Sequence, residues 1–275
     1  MKKRSLGFIL KYVLLFFSAA LVIFPLFFVF LSSFKTNEEI FSGAFSFPSR
    51  IHFENYLNPF NETFHLHTYF INSFFYAVFV CLLSVFVNSM AAYAIGRLKW
   101  KLRKAVLALF LSGLMIPLHA IIVPLYIVVS RFNLPNQLAL MLLFAASTVP
   151  ISVFLIVGFL GNVPRAVEES AIIDGCTIPY MFFTIVMPII KPVIATVTIF
   201  NFMGVWNDLM LSLIFLNEEK FKTLQLGIMR FKSSFYSDYG LILAAIVLSI
   251  IPSIAVYLVM SDKLINGIAS GAVKG

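Results

Sequence analysis

Long apolar segments dominate this sequence and restrict the folds open to it. A helix needs about 20 apolar residues to cross the hydrocarbon core of a bilayer, and backbone groups inside lipid must be paired within the protein. Six segments meet this requirement, at about 12–32, 72–95, 105–129, 138–159, 192–216 and 240–260. We therefore predict an all-α, polytopic membrane protein with six transmembrane helices in a single domain, residues 1–275. Pro117 and Pro124 are predicted to kink the third span.

The composition supports the same class. Hydrophobic residues make up 61% of the chain and charged residues 12%. An ordinary soluble domain is about 25% charged, so this chain could not cover a soluble surface with polar groups. The net charge of +8 comes from short Lys and Arg clusters beside the apolar segments, which is typical of membrane-flanking charge. Lipid is therefore an expected partner, and nucleic acid is not.

The distribution of Lys and Arg predicts the orientation. The short loop 97–104 contains five of these residues, and short loops weigh most in the positive-inside rule. With an even number of spans, both termini are then predicted to be cytoplasmic. Residues 160–191 become a cytoplasmic loop, and residues 217–239 become an extracellular loop.

A compact polar island, residues 163–192, interrupts the apolar pattern. It carries three carboxylates and one guanidinium: Glu168, Glu169, Asp174 and Arg165. A hairpin that only lay on the inner leaflet would be basic, because that surface is anionic. The acidic excess favours docking to a cytosolic protein, although an interfacial hairpin stays open as the alternative.

The island is predicted to form two short helices around a glycine. Pro164 suits the first turn of a helix over Arg165–Ile173, with Asp174-Gly175 as its stop. Thr177 is predicted to cap a second helix that runs to Met187, just before Pro188. This arrangement makes a helix–elbow–helix loop at the inner face of the membrane.

The order of residues in the island resembles the coupling loop of ABC-importer permeases. That family reads Glu-Ala-Ala, three residues, Gly, nine residues and then Ile-x-Leu-Pro. This chain has the same spacing in Glu169-Ser170-Ala171, Gly175 and Ile185-Val186-Met187-Pro188. Shorter matches to the carbohydrate branch follow in family order: Asn55-Tyr56-Leu57, Asn72-Ser73, residues 91–97, Ile116-Pro117 and Trp206-Asn207-Asp208. The chain resembles the smaller, six-span permease of a maltose-type importer in the binding-protein-dependent transport family.

The resemblance implies one half of the path of an ATP-driven sugar importer in a bacterial cell membrane, with an oligosaccharide as the favoured cargo. The implied partners are a second, different permease, two cytosolic ATPase subunits and an extracellular sugar-binding protein, into whose cleft the loop 217–239 would reach. No cofactor is implied. The chain has no phosphate-cradling glycine loop, so it is not expected to be an enzyme, and ATP hydrolysis belongs to a separate subunit. Contact with the ATPase is assigned to Glu169, Ala171 and Gly175, together with the neighbouring acidic residues Glu168 and Asp174.

Trp206, Asn207 and Asp208 lie past the middle of the predicted fifth span. Polar side chains within a span usually face a cavity or a partner. An indole beside an amide and a carboxylate suits a sugar, which offers both apolar faces and hydroxyl groups, so these residues are candidates for the substrate pathway. A structural role is equally open, with the polar groups bonded to neighbouring helices and the indole at the membrane interface.

Two other classes of function stay open on the residues alone. An ion-coupled secondary transporter would use Asp208 as its relay, and a membrane scaffold would transport nothing. Neither explains the acidic island or its spacing. His65 and His67 alternate before the second span, but no further ligand accompanies them, so no metal site is expected.

Overall fold

The structure is a computed structural model that describes residues 2–43, 45–61, 64–231 and 237–272, with 2–6 and 262–272 described by backbone alone. Part of the predicted extracellular loop, residues 232–236, therefore lies outside the described residues. The regular elements of the described chain are helical, and the all-α fold class is confirmed. The α-helices, numbered in chain order, are α1 (Lys2–Ser32), α2 (Asn37–Ser42), α3 (Glu54–Leu57), α4 (Leu66–Gly96), α5 (Arg103–Ser112), α6 (Ile122–Ser130), α7 (Asn136–Leu160), α8 (Ala166–Ile173), α9 (Ile178–Met181), α10 (Met187–Ile189), α11 (Lys191–Trp206), α12 (Met210–Phe215), α13 (Leu224–Met229) and α14 (Tyr239–Ala272).

The chain divides into two compact units. One comprises Met1–His67 and Gly227–Ile251, and the other comprises Thr68–Leu226 and Pro252–Gly275. The second unit contains the polar island, most of α4, and all of α7 and α11, so the functional analysis concerns this unit.

Membrane-length helices occupy most of the predicted spans. Within the described residues, four helices are long and apolar enough to cross a bilayer: Gly7–Ser32, Leu66–Gly96, Asn136–Leu160 and Tyr239–Ser261. A fifth span results if the bent pair Ile178–Ile189 and Lys191–Trp206 is counted as one, with a bend of 79° between its halves. The predicted fifth span began only at residue 192, after the bend.

The third predicted span, 105–129, is not a continuous helix. Turns and a short 3-10 helix, Leu118–Ala120, separate α5 from α6. Pro117 has an extended backbone with ψ of 119°, and its ring and missing N–H prevent the preceding helix from continuing. Pro124 lies in the first turn of α6, where a missing N–H costs little. The helix of this segment is therefore interrupted near Pro117, whereas Pro124 lies at the start of a new helix and does not kink it.

The fifth predicted span, 192–216, is also interrupted. The helix α11 ends at Trp206, and the chain makes a short turn before α12 begins at Met210. The side chain of Asn207 donates to the backbone oxygen of Met203 at 3.0 Å, and Asp208 accepts from backbone N–H groups of α12. Asn and Asp side chains compete with the helical backbone for hydrogen bonds, which explains why the helix stops at this pair.

In the first unit, Asn55 ties the end of α1 to the segment that follows it. Its Nδ2 donates to the carbonyl oxygens of Ser33 and Lys35, each at 3.0 Å. Lys35 is buried, and its Nζ donates to the oxygen of Gly43 at 3.1 Å. A Cβ at Gly240 would lie 2.6 Å from Asn55 Nδ2, so glycine permits this close approach at the start of α14. The Asn55-Tyr56-Leu57 match therefore marks a packing site.

The segment after α12 is bound to the face of α4. Asn72 Nδ2 donates to the carbonyl oxygens of Lys220 and Lys222, each at 2.9 Å. The hydroxyl of Tyr76, one turn further along the same face, donates to the oxygen of Phe221 at 3.0 Å. The described beginning of the predicted extracellular loop is therefore fixed against α4.

Candidate functional site: an acidic elbow and a polar cleft

The polar island folds as a helix–turn–helix elbow. We use this name for α8, the turn at residues 174–177 and the helical arm Ile178–Ile189. The predicted first helix over Arg165–Ile173 is confirmed to within one residue, since α8 begins at Ala166.

The arm differs from the predicted second helix. Thr177 stands at its N-cap position, but the Thr177 side chain makes no capping hydrogen bond, so that predicted role is wrong. The helical path continues beyond Met187 to Ile189, through a π-helical stretch at Phe182–Val186. A proline ring clashes with the carbonyl one α-turn earlier, and the wider π turn relieves that clash ahead of Pro188. The helix therefore passes the proline at which it was predicted to end.

Gly175 closes the first helix of the elbow. Its φ of +81° is left-handed, a conformation that glycine adopts without steric cost. The N–H of Gly175 donates to the oxygen of Ile172 at 3.0 Å, and the N–H of Cys176 donates to the oxygen of Ala171 at 2.9 Å. This pair of bonds is a Schellman motif, which satisfies the last carbonyls of α8 and reverses the chain. The predicted stop at Asp174-Gly175 is confirmed.

The outer surface of the elbow is both acidic and apolar. Glu169, Asp174 and Gly175 are exposed, as predicted for residues that meet a partner. Ile172 and Ile173 are 59% and 84% exposed. Ile172 was predicted from the sequence to offer apolar surface for close approach, whereas Ile173 was not. Large apolar side chains beside carboxylates are typical of a protein-binding surface more than of a solvated loop.

Two of the five predicted coupling residues point the other way. Ala171 is buried, and the Glu168 side chain is 12% exposed. Glu168 Oε1 lies 2.9 Å from Nε of Arg97, at the end of α4, in an ion pair that is itself buried. Arg97 was predicted to be a membrane-flanking charge. Glu168 and Glu169 are consecutive, and consecutive residues of an α-helix point in different directions. The sequence therefore already indicated that the two carboxylates would not share one surface.

An apolar seat holds the elbow against two long helices. The elbow contributes Ala171, Met181, Phe182 and Val186, and α4 and α7 contribute Ala92, Tyr93, Ile156 and Leu160. Every member of this set is buried. The elbow is therefore packed as part of the helical body and is not a loop that hangs below it.

A polar cleft of about 610 Å³ opens elsewhere in the second unit. Its polar lining residues are His119, Ser147, Thr148, Asn201, Asn207 and Asp208, and Phe144 and Phe200 are among its apolar ones. The cleft therefore combines hydrogen-bonding groups with two aromatic rings. Phe144 and Phe200 were missed because the sequence contains 32 Phe, most of which give no signal of their own.

Trp206 does not line the cleft. It is 1% exposed, and its ring stacks on Phe202 with centroids 5.6 Å apart and an interplanar angle of 11°. The ring of Phe70 meets it edge-on at 5.4 Å. The indole is therefore part of the packed interior.

Asn207 and Asp208 do line the cleft, but their polar groups are partly used by the fold. Asp208 Oδ1 accepts from both the backbone N–H and the hydroxyl of Ser212, at 3.0 and 3.1 Å. Its Oδ2 is 3.4 Å from the N–H of Leu211. The carboxylate thus caps α12 at the edge of the cleft.

A buried hydrogen-bond network joins α4, α7 and α11 beside the cleft. Asn201 Nδ2 donates to Ser84 Oγ at 2.6 Å and to Ser152 Oγ at 3.2 Å. Asn88 Nδ2 donates to Ser84 Oγ at 2.7 Å and to Thr148 Oγ1 at 3.2 Å. Such bonds replace those that lipid cannot offer, so this network links the three helices.

The chain matches a family model over residues 84–266, and the family is described as the binding-protein-dependent transport system inner membrane component. The chain belongs to this family. Members of this family are membrane components of transport systems, so the chain is a transport subunit of the inner membrane and not a catalytic subunit.

Individual relatives agree with this membership. The probable ABC transporter permease protein YurM of Bacillus subtilis is 34% identical over 275 residues, which cover 100% of this chain and 91% of the relative. The diacetylchitobiose uptake system permease protein NgcG of Streptomyces coelicolor is 32% identical over 268 residues, with coverage of 96% and 88%. A crystal structure of a bacterial ABC transporter that imports the acidic polysaccharide alginate shares the fold. Its TM-score is 0.83 at 23% identity, and the match covers 96% of this chain and 98% of that chain.

Proposed function

We propose that this permease forms half of the translocation path of an ATP-driven oligosaccharide importer. The observation that carries the proposal is the elbow, a rigid turn that presents Glu169, Asp174, Ile172 and Ile173 away from its own helices. A sugar cargo is supported by the relative named for diacetylchitobiose uptake and by a cleft that combines hydroxyl, amide and aromatic groups.

The importer in this proposal contains four kinds of subunit. A second, different permease completes the path, two cytosolic ATPase subunits drive it, and an extracellular sugar-binding protein delivers the cargo. The surface that the elbow offers is acidic and apolar. The ATPase surface that receives it therefore needs basic side chains around an apolar groove.

The elbow faces the cytoplasm in this proposal, as do both termini. Lys99, Lys101 and Lys104 of the basic loop are exposed, in keeping with the positive-inside rule. The ion pair between Arg97 and Glu168 supports placing that loop and the elbow on the same side of the membrane.

ATP-driven closure of the ATPase would move the elbow as a solid body. Its arm continues into α11 through the 79° bend, and α11 carries Asn201 to the wall of the cleft. A displacement of the elbow therefore tilts α11 and changes the side of the membrane to which the cleft opens. In this mechanism Ala171 supports the elbow from within, and Glu169, Asp174 and the turn at Gly175 meet the ATPase.

The cleft is the proposed local part of the sugar path. Asn207, His119 and Ser147 offer hydrogen-bonding groups, and the half-exposed Phe200 offers an apolar face. Trp206 supports this wall from behind through its stack with Phe202 and does not touch the sugar.

The first test asks whether ATP or an ion gradient drives uptake. We expect cells that depend on this permease to accumulate at least one oligosaccharide from a radiolabelled panel, and deletion of its gene to abolish that accumulation. Uptake should persist when a protonophore collapses the ion gradient while ATP is maintained, and it should persist in Asp208→Asn, which keeps an oxygen for the cap. Loss of uptake under the protonophore would instead favour the ion-coupled transporter.

The second test concerns the left-handed turn. An added Cβ at Gly175 would meet nothing within 4 Å, so only backbone strain, of about 1 kcal/mol, opposes Gly175→Ala. Asn tolerates this conformation better than Ala does. We therefore expect sugar uptake to fall more in Gly175→Ala than in Gly175→Asn, at equal amounts of assembled complex. Equal uptake in the two variants would show that the shape of the turn does not matter for coupling.

The third test concerns the cleft. Ser147→Trp places an indole in the cleft, whereas Leu142→Trp adds the same group on α7 outside it. We expect the first variant to assemble and bind ATPase but to lose oligosaccharide uptake, and the second to retain uptake. Unchanged oligosaccharide uptake by the Ser147→Trp variant would show that the cleft is not part of the translocation path.

A further inference from the structure

The buried guanidinium of Arg97 is the strongest unexplained feature near the elbow. Its side chain is 5% exposed, although arginine stays charged in proteins. Burial of such a charge is costly unless a counter-charge and hydrogen-bond acceptors surround it. Glu168 supplies the charge, and the carbonyl oxygen of Val163 accepts a hydrogen bond from Nη2 at 2.7 Å. The last turn of α4 is thus tied to two points at the start of the elbow.

The second carboxylate oxygen of Glu168 also meets α4. The hydroxyl of Tyr93 donates to Glu168 Oε2 at 3.4 Å, and Tyr93 lies four residues before Arg97, on the same face of the helix. The ring of Tyr93 packs against Phe182 of the arm, with centroids 5.3 Å apart. One face of α4 therefore contacts both halves of the elbow, through an ion pair on one half and through a ring on the other.

The ion pair is not needed simply to keep the elbow in place. The apolar seat already buries Ala171, Met181 and Phe182 against α4 and α7. A buried ion pair often adds no net stability over apolar residues of the same volume. The close charge pair and the hydrogen bond from Arg97 to the Val163 oxygen do, however, together constrain the distance and orientation between α4 and the start of the elbow.

We propose that Arg97 and Glu168 are positioning residues that make α4 follow the elbow as one body. A push on the elbow then reaches α4 directly, in addition to reaching α11 through the arm. Since α4 carries Ser84 and Asn88 of the buried network, its movement reshapes the wall of the cleft. This inference rests on the proposed function, because it requires a partner that moves the elbow.

The experiment measures distances between spin labels in the complex of both permeases and the ATPase subunits in lipid nanodiscs. The native Cys81 and Cys176 are replaced by Ala. Labels at Leu82, which is 69% exposed on α4, and at the exposed Thr184 on the arm of the elbow, away from the proposed ATPase-binding surface, report whether these elements move together. A second pair, from Thr184 to the elbow of the partner permease, reports whether the elbow moves at all. Each pair is measured without nucleotide and with ATP and vanadate.

We expect the distance from position 82 to 184 to change by less than about 2 Å on trapping with ATP and vanadate, while the distance between the two elbows changes by about 5 Å. In Glu168→Gln the first distance should become nucleotide-dependent, by about 5 Å, with the movement of the elbows retained. The double variant Arg97→Gln/Glu168→Gln removes both charges and should behave in the same way, without leaving a guanidinium unpaired. Lys99→Gln, which removes an exposed charge at the same end of α4, is the matched control and should resemble the unmodified chain.

Three results would overturn the inference. One is an unmodified chain in which the 82–184 distance changes as much as the distance between the elbows does. Another is a pair of neutralised variants in which the 82–184 distance stays as constant as in the unmodified chain. The third is failure of both neutralised variants to assemble while Lys99→Gln assembles, which would make the pair a requirement for folding. If the elbows do not move with nucleotide in the unmodified complex, the proposed function itself is contradicted, and the inference fails with it.

Discussion

The packing of the elbow against α4 and α7 is the interaction on which the rest of the functional structure depends. Ala92 and Ile156 come from long apolar helices, whereas Ala171 and Phe182 come from the polar island, and together they exclude water and lipid. Because this seat buries one face of α8, the opposite face must carry the exposed side chains. Glu169 and Ile173 are thus turned outward by the same contact that turns Glu168 inward. The packing of the elbow and the chemistry of its exposed surface therefore have one cause.

A mechanical consequence follows from where the elbow is joined to the helices. The arm is continuous with α11, the ion pair joins α8 to α4, and the buried network joins both of those helices to α7. These connections involve a covalent path, a charged contact and hydrogen bonds in an apolar environment, and none of them is long or flexible. In the proposed mechanism these connections transmit a displacement of the elbow to the cleft, which is what a transport subunit without its own ATPase activity requires.

The extent to which the fold could be predicted follows from the range of the interactions involved. The helices α1, α4, α7 and α14 were predictable, because the length of an apolar segment can be read from local sequence and is enough for a helix to span a bilayer. The break between α5 and α6 was predicted only as a kink. The segment after α5 is also packed closely on a residue distant in sequence, since a Cβ at Gly113 would lie 2.8 Å from Cγ of Pro150 in α7. The stop at Gly175 was predictable for the opposite reason, because a left-handed glycine is a local solution to the end of a helix.

The candidate site shows the same division. The exposure of Glu169 and Asp174 was predicted from the acidic excess of the island, whereas the partner of Glu168 was not, because Arg97 lies in a distant part of the sequence and looked like an ordinary flanking charge. The run Trp206-Asn207-Asp208 was treated as one polar group, yet consecutive residues at a helix end point in different directions. The indole consequently entered the core, and the amide and carboxylate faced the cleft.

The central claim is that the elbow binds an ATP-hydrolysing subunit. Crosslinking from position 169 tests this claim most directly. A photoreactive amino acid replaces Glu169 in membranes that contain the whole importer, and the exposed Thr184 on the arm receives the same group as a reference position. The account predicts a crosslink from position 169 to the ATPase subunit whose yield changes between the nucleotide-free and ATP–vanadate states, with a much lower yield from position 184. Failure of position 169 to capture the ATPase subunit under any nucleotide condition would contradict the account.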